Sequence, residues 1–146
     1  MKKIYLAGPF FDDEQVSRIE KLENILTNNP TVESFFSPRT TNLPGEKPGT
    51  PEWANKIYHE DVNEILKADL VFAVIDFTGE NVDSGTAFEI GYAVANKKPV
   101  VVFHEKTGIV NLMISESISS YLTTFEDVEK YDFDKMPVKK YNGPVI

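Results

Sequence analysis

Four runs of apolar residues, 3–8, 31–36, 69–75 and 99–104, punctuate the chain, and a shorter fifth lies near 122–124. Between them, apolar positions recur every three to four residues over 12–28, 51–67, 84–97 and 111–120. Short apolar runs predict strands, and the longer spacing predicts amphipathic helices. Strands alternating with helices predict an α/β three-layer sandwich, a five-stranded, mostly parallel sheet with helices on both faces. The second helix is the best marked. Thr50 is placed to cap it, Pro51 suits its first turn, Glu52 complements the dipole there, and Pro48-Gly49 punctuates the loop before it.

In such a sheet, ligands bind beyond the carboxyl ends of the strands. The segments that reach this edge are Gly8 to Asp13, Ser37 to Thr50, Asp76 to Glu89 and Glu105 to Met113. The second of these carries Pro38, Pro44, Gly45, Pro48 and Gly49 and is long enough to be functional rather than merely connective.

Composition narrows the chemistry. With 146 residues, a single domain over 1–146 is expected, able to bury roughly 68–70% of its unfolded surface without a covalent staple. The absence of cysteine removes thiol nucleophiles and thiolate metal sites, and two histidines, His59 and His104, exclude a histidine-rich metal cluster. No metal and no cofactor is expected. The net charge of −8 argues against nucleic acid as a partner, because non-specific binding depends on Lys and Arg neutralising phosphates. A strand that starts almost at Met1 predicts no leader peptide, and the apolar runs fall far short of the roughly 20 residues that span a bilayer. A soluble, cytoplasmic protein with no membrane partner is expected.

The stretch Asp76 to Gly91 reads as a strand end, a polar loop and a small-residue entry into a helix. Ser84, Gly85, Thr86 and Ala87 would let a ligand approach the backbone, with Asp83 and Glu89 facing that space. Glu89 has a purely structural alternative, because Thr86-Ala87-Phe88-Glu89 matches a capping box in which the glutamate returns a hydrogen bond to the helix start. Asp83 has one too, as an ordinary loop or cap residue. Asp61 shares a four-residue stripe with Ile57 and Ile65, which places a carboxylate in line with residues that face the sheet; it either finds a buried donor or lines a pocket. Tyr5, midway along the first strand, is by default a core residue whose hydroxyl needs a partner. Three carboxylates and a tyrosine near one strand edge suit retaining glycosyl transfer, in which one carboxylate attacks the anomeric carbon and a second acid helps the leaving group depart. A 2-deoxy sugar fits this economy, since it lacks the electron-withdrawing hydroxyl that raises the oxocarbenium-like barrier.

Taken in order, Ile4 to Gly8 with Phe10-Phe11, Asp61 to Ile65, Asp83 to Ala93, Asn111-Leu112-Met113 and Tyr141-Asn142-Gly143 resemble the nucleoside 2-deoxyribosyltransferases. The resemblance runs from Ile4 to the C-terminus and implies a flavodoxin-like (Rossmann-like) fold and a two-step exchange. In it Glu89 would attack C1′ of a 2′-deoxynucleoside, release the base and yield the sugar to an incoming nucleobase. Tyr5 would orient Glu89, Asp61 would protonate the departing base, and Asp83 would accept from the 5′-hydroxyl. Gly8, Phe10 and Asn42 would line the substrate site. Asn111 and Met113 would reach a neighbouring subunit's site, making a homo-oligomer, a hexamer built from dimers or a dimer, and the carboxylate of Ile146 would approach the base.

The chain departs from the family pattern in two places. The loop Pro38-Arg39-Thr40-Thr41-Asn42 lacks the expected glutamine, for which Asn42 is the nearest match, and the last residue is Ile146 where an aromatic is expected. Related hydrolases that cleave nucleoside 5′-monophosphates carry a phosphate-binding serine six residues before the catalytic glutamate. Here that position is Asp83, which suits a neutral hydroxyl and repels a dianion. A phospho-receiver built on Asp12, Asp13, Asp76 and Lys106, and a nucleoside-binding module without turnover, are the readings from other classes.

Overall fold

The computed structural model describes residues 1–146. Five strands, β1 (Lys2–Ala7), β2 (Val32–Phe36), β3 (Leu70–Val74), β4 (Val100–Phe103) and β5 (Ser120–Leu122), form one sheet in the order β2-β1-β3-β4-β5. Every neighbouring pair is parallel. The helices are α1 (Asp13–Asn28), α2 (Pro51–Lys67), α3 (Ser84–Ala95), α4 (Leu112–Ser115) and α5 (Phe125–Lys130).

Side chains alternate across the sheet and so sort the core into two layers. Ile4, Leu6, Phe72, Val74, Val101 and Phe103 face α1 and α5, packing with Ile19, Leu22, Leu26 and Val128. Tyr5, Ala7, Val71, Ala73, Val100 and Val102 face the opposite way, against Ile65 of α2, Ile90 and Ala93 of α3, and Ile114 of α4. β3 is buried at all five positions, as a central parallel strand covered on both faces should be. The strand order reverses between β1 and β3, β2 lying to one side and β4 and β5 to the other, which makes that crevice the expected binding site.

The predicted elements appear with shifts at the C-terminal end. The helix expected over 111–120 is one turn, Leu112–Ser115, and the fifth strand begins at Ser120, two residues before the expected run. The run Ser115-Glu116-Ser117 lacks the apolar spacing needed to carry the helix further, and Ser120 enters the sheet because its hydroxyl donates to the Pro137 carbonyl. Helix α5 was not foreseen; it starts where the Thr124 hydroxyl accepts from the Asp127 N–H. No helix is long and apolar enough to cross a membrane.

Gly8 ends β1 with a packing role. A Cβ there would lie 2.9 Å from Ile19 Cδ1 and 3.0 Å from Val74 Cβ, so the missing side chain is what lets α1 close on β3. Two of the acidic residues of the phospho-receiver alternative, Asp12 and Asp76, are otherwise engaged. Asp12 caps α1 by accepting from the Gln15 N–H. Asp76, 1% exposed, accepts from the Glu105 and Lys106 N–H groups and lies 3.8 Å from the buried Arg18 guanidinium.

Candidate active site

Tyr5 projects from β1 onto the face covered by α2 and α3, and its ring stacks on Phe36 of the adjoining strand at 5.7 Å. Beyond it on the same face stand Ala7 and Ala73, paired in register, which give that part of the crevice floor small side chains. Asp61 reaches this floor from the inner stripe of α2, and Glu89 reaches it from α3, whose residues Thr86, Ile90 and Ala93 are buried against the sheet.

The polar atoms that meet there lack partners within the chain. The Tyr5 hydroxyl, Asp61 Oδ1 and Glu89 Oε2 are all shut off from solvent, and none makes a hydrogen bond. Burial raises Glu89 to about 7; the Tyr5 hydroxyl partly offsets this, and the charges of Asp61 and Asp83 add to it. Tyr5 and Glu89 thus act on each other's proton affinity although no bond of ordinary geometry joins them. Asp61 rises to about 6, mostly through burial and then through the charge of Glu60. The Tyr5 hydroxyl is held far above its usual range by burial and by the carboxylates Glu89 and Asp61, so it stays protonated and serves only as a donor or dipole. Two unpaired acids poised near neutrality in a crevice are the arrangement that proton transfer and nucleophilic attack both need.

The structure replaces the capping box of the sequence with a different cap. Asp83 is the N-cap of α3, and its Oδ2 accepts from both the N–H (3.0 Å) and the hydroxyl (3.1 Å) of Thr86. Thr86 is therefore inside the helix, and Glu89, a turn further on, returns no bond to the helix start. Because both bonds to Asp83 fall on Oδ2, its other oxygen remains free for a ligand.

The remaining predicted residues fall into separate groups. Phe10 is partly exposed and stacks on Phe11, which meets Phe77 edge-on at 6.2 Å. Asn42 is exposed and Arg39 turns away, its guanidinium 2.6 Å from Glu23 on α1. Asn111 caps α4 by accepting from the Met113 N–H, and Met113 is 74% exposed. Asn111, Met113 and Ile146 line a hollow of about 640 Å³ together with Ala87, Gly91 and Val94. At about 100° per residue, those three positions lie roughly 140–160° around α3 from Glu89. The largest cavity is thus on the opposite flank of the helix from the unpaired acids. Ile146 is held in place there, with the Leu112 N–H donating to an oxygen of the Ile146 carboxylate and the Ile146 N–H donating to the Val110 carbonyl.

Comparison with known proteins bears on the family of this chain. The profile of the nucleoside 2-deoxyribosyltransferase family matches residues 4–130. This chain belongs to the nucleoside 2-deoxyribosyltransferase family. It is 31% identical to a nucleoside deoxyribosyltransferase of Limosilactobacillus fermentum over 98% of this chain and 88% of that one. The solved structure of a 2-deoxyribosyltransferase from Bacillus psychrosaccharolyticus is 39% identical, with a TM-score of 0.87 over 96% of this chain and 99% of that one. A CMP N-glycosidase of Clostridium botulinum shares the fold at 20% identity and a TM-score of 0.60, covering 89% of this chain and 100% of that one.

Two residues not singled out from the sequence share one feature of these groups. Glu60 and Thr41 also bury a polar atom, Oε2 and Oγ1, with no partner. The stripe that pointed to Asp61 extends to Glu60 at the i+3 position from Ile57, a signal the four-residue spacing alone passes over.

Proposed function

We propose that this protein transfers the 2-deoxyribosyl group between nucleobases through a covalent deoxyribosyl-glutamate intermediate, with retention at C1′. The observation that carries the proposal is the convergence of three buried, unpartnered groups, Tyr5, Asp61 and Glu89, at the β1–β3 crevice of a chain from this family.

In the first step a Glu89 oxygen bonds to C1′ as the C1′–N bond breaks, its electron pair leaving on the base and the Asp61 proton following it. In the second, a ring nitrogen of the incoming base attacks C1′, the ester bond breaks, and the nitrogen's proton returns to Asp61. Tyr5 donates to Glu89 and fixes its orientation, and the free oxygen of Asp83 accepts from the 5′-hydroxyl. Burial favours this chemistry, because attack disperses a charge that the crevice stabilises poorly in the resting enzyme. Water in place of the second base gives hydrolysis as a side reaction.

The site is completed by a second copy of the chain. Asn111, Met113 and Ile146 stand on the far flank of α3 from Glu89, and Met113 and Leu112 are exposed apolar residues beside them. We assign them to a neighbouring subunit's site in a homo-oligomer, a dimer or a hexamer built from three dimers, in the cytoplasm. Substrates are 2′-deoxynucleosides and free nucleobases. Cleavage of 5′-monophosphates is disfavoured by the Asp83 carboxylate, where a dianion would be repelled.

The test is base exchange. The protein, given a 2′-deoxynucleoside and a different free base, should form the new β-deoxynucleoside, and 5′-monophosphates should be poor donors. Exclusive α-product would contradict double displacement, and a preference for monophosphates would overturn the role of Asp83.

A further inference from the structure

The segment Tyr141-Asn142-Gly143 has no task in the reaction above, yet the chain is closed around it. Before it, the Lys139 carbonyl accepts from the Tyr121 N–H beside β5. Beyond it, residues 144–146 run parallel to 110–112. The Val110 N–H donates to the Pro144 carbonyl, the Ile146 N–H to the Val110 carbonyl, and the Leu112 N–H to a carboxylate oxygen of Ile146. This strap buries little apolar surface. Residues 142–146 are exposed, Ile146 at 71%, and a terminus of that kind frays unless hydrogen bonds tie it down.

Tyr141 is the half-buried residue of the strap. Its ring packs edge-on against Tyr121 at 4.7 Å, and the Tyr121 hydroxyl in turn meets Nδ1 of the buried His104 at 2.8 Å. Its own hydroxyl lies 2.8 Å from the Gly108 carbonyl and 2.6 Å from the Pro144 carbonyl. A phenol has one proton, so the two carbonyls share it, one in the loop before α4 and one in the strap. Gly143 makes room for this arrangement. A Cβ there would collide with the Tyr141 hydroxyl and lie 2.6 Å from Cζ and 2.9 Å from Cε2, atoms of a rigid ring that move only together. Ile146, at the end of the strap, borders the hollow with Asn111 and Met113. We propose that Tyr141 is a positioning residue: its hydroxyl latches the strap to the loop before α4 and so holds the Ile146 carboxylate at the hollow, where, on the reading above, it serves a neighbouring subunit's site.

The test joins two readouts. Release of Ile146 by carboxypeptidase Y, followed by mass spectrometry, reports how often the strap opens, because cleavage slower than reclosing tracks the open population. Tyr141→Phe keeps the ring, removes the latching hydrogen bond and should speed release by up to about tenfold. Gly143→Ala, which displaces the ring, should speed it at least as much. Unchanged release from Tyr141→Phe would overturn the latch. The second readout is kcat/KM for base exchange in wild type, in Tyr141→Phe, in the chain ending at Val145, and in that shortened chain carrying Tyr141→Phe. The substitution should lower kcat/KM severalfold in the full chain and leave the shortened chain within about twofold, because the group it positions is gone. Equal losses in both backgrounds would overturn the proposal, showing that Tyr141 merely supports the fold. Absence of exchange in wild type would instead remove the transferase reading itself, while the rate of Ile146 release still decides the latch.

Discussion

At the scale of single residues, burial in the crevice raises the proton affinity of both Glu89 and Asp61. The proposed transfer requires Glu89 ionised and Asp61 protonated. With Glu89 near 7 and Asp61 near 6, the two acids titrate as a coupled pair, and kcat/KM should follow a bell with its maximum close to pH 6–7. A profile that climbs steadily to pH 9 would remove Asp61 as the acid. Glu89→Ala should lower turnover by about three orders of magnitude or more while the fold survives. Stability gives a separate readout. A carboxyl raised on folding contributes stability that is complete below its unfolded value and is lost as pH rises through its folded value. Between about pH 4.5 and pH 7 the wild type should therefore lose stability relative to Glu89→Gln, by up to about 3 kcal/mol for a shift of this size. Parallel melting curves across that range would show that Glu89 is solvated after all.

At the scale of elements, Asp83 caps α3 and, in the proposed reaction, also holds the 5′-hydroxyl. Asp83 stops the loop and starts the helix, and in doing so it fixes the turn on which Glu89 stands. Asp83→Ser keeps a capping oxygen and Asp83→Ala removes it, so the pair separates the structural from the substrate role. The alanine variant should lose about 1 kcal/mol of stability, the serine variant little, and both should handle nucleosides poorly. The serine variant should also accept 5′-monophosphates better than wild type does; unaltered donor preference would leave Asp83 as a cap alone. At the end of β1, Gly8→Ala should cost about 1–3 kcal/mol in chemical denaturation, because the added methyl meets Ile19 and Val74. A neutral result would mean that α1 gives way more easily than its packing suggests. Helix α2 and its cap at Thr50 were legible from the chain, since local signals set them. The early start of β5 at Ser120 was not, because the hydroxyl of Ser120 bonds to Pro137, seventeen residues away.

At the scale of the whole molecule, the two halves of the predicted site lie on opposite flanks of α3. Glu89 faces α2 and β1, while Asn111, Met113 and Ile146 border the hollow toward α4. If neighbouring subunits complete each other's sites, Glu89→Ala and Asn111→Ala proteins should each be impaired, and mixing them after dissociation should restore up to roughly a quarter of wild-type activity through hybrid sites in a dimer. Full activity in a monomer would end that assignment. Exposed Tyr58 and Phe88, 6.1 Å apart on α2 and α3, add a second apolar surface that such an assembly would cover.

Apolar periodicity along the chain determined the strands, the main helices and their alternation, because each reflects which side of a local segment is kept from water. The order of small and acidic residues also determined which side chains could carry glycosidic chemistry. Tertiary structure alone decided that Tyr5, Asp61 and Glu89 share one face of the sheet, that Asp83 rather than Thr86 caps α3, and that Glu60 and Thr41 each bury a polar atom with no partner. Those outcomes depend on which side chains find hydrogen-bond partners across the fold. A carboxylate looks the same in sequence whether a distant backbone N–H satisfies it, as at Asp76, or nothing does, as at Glu89.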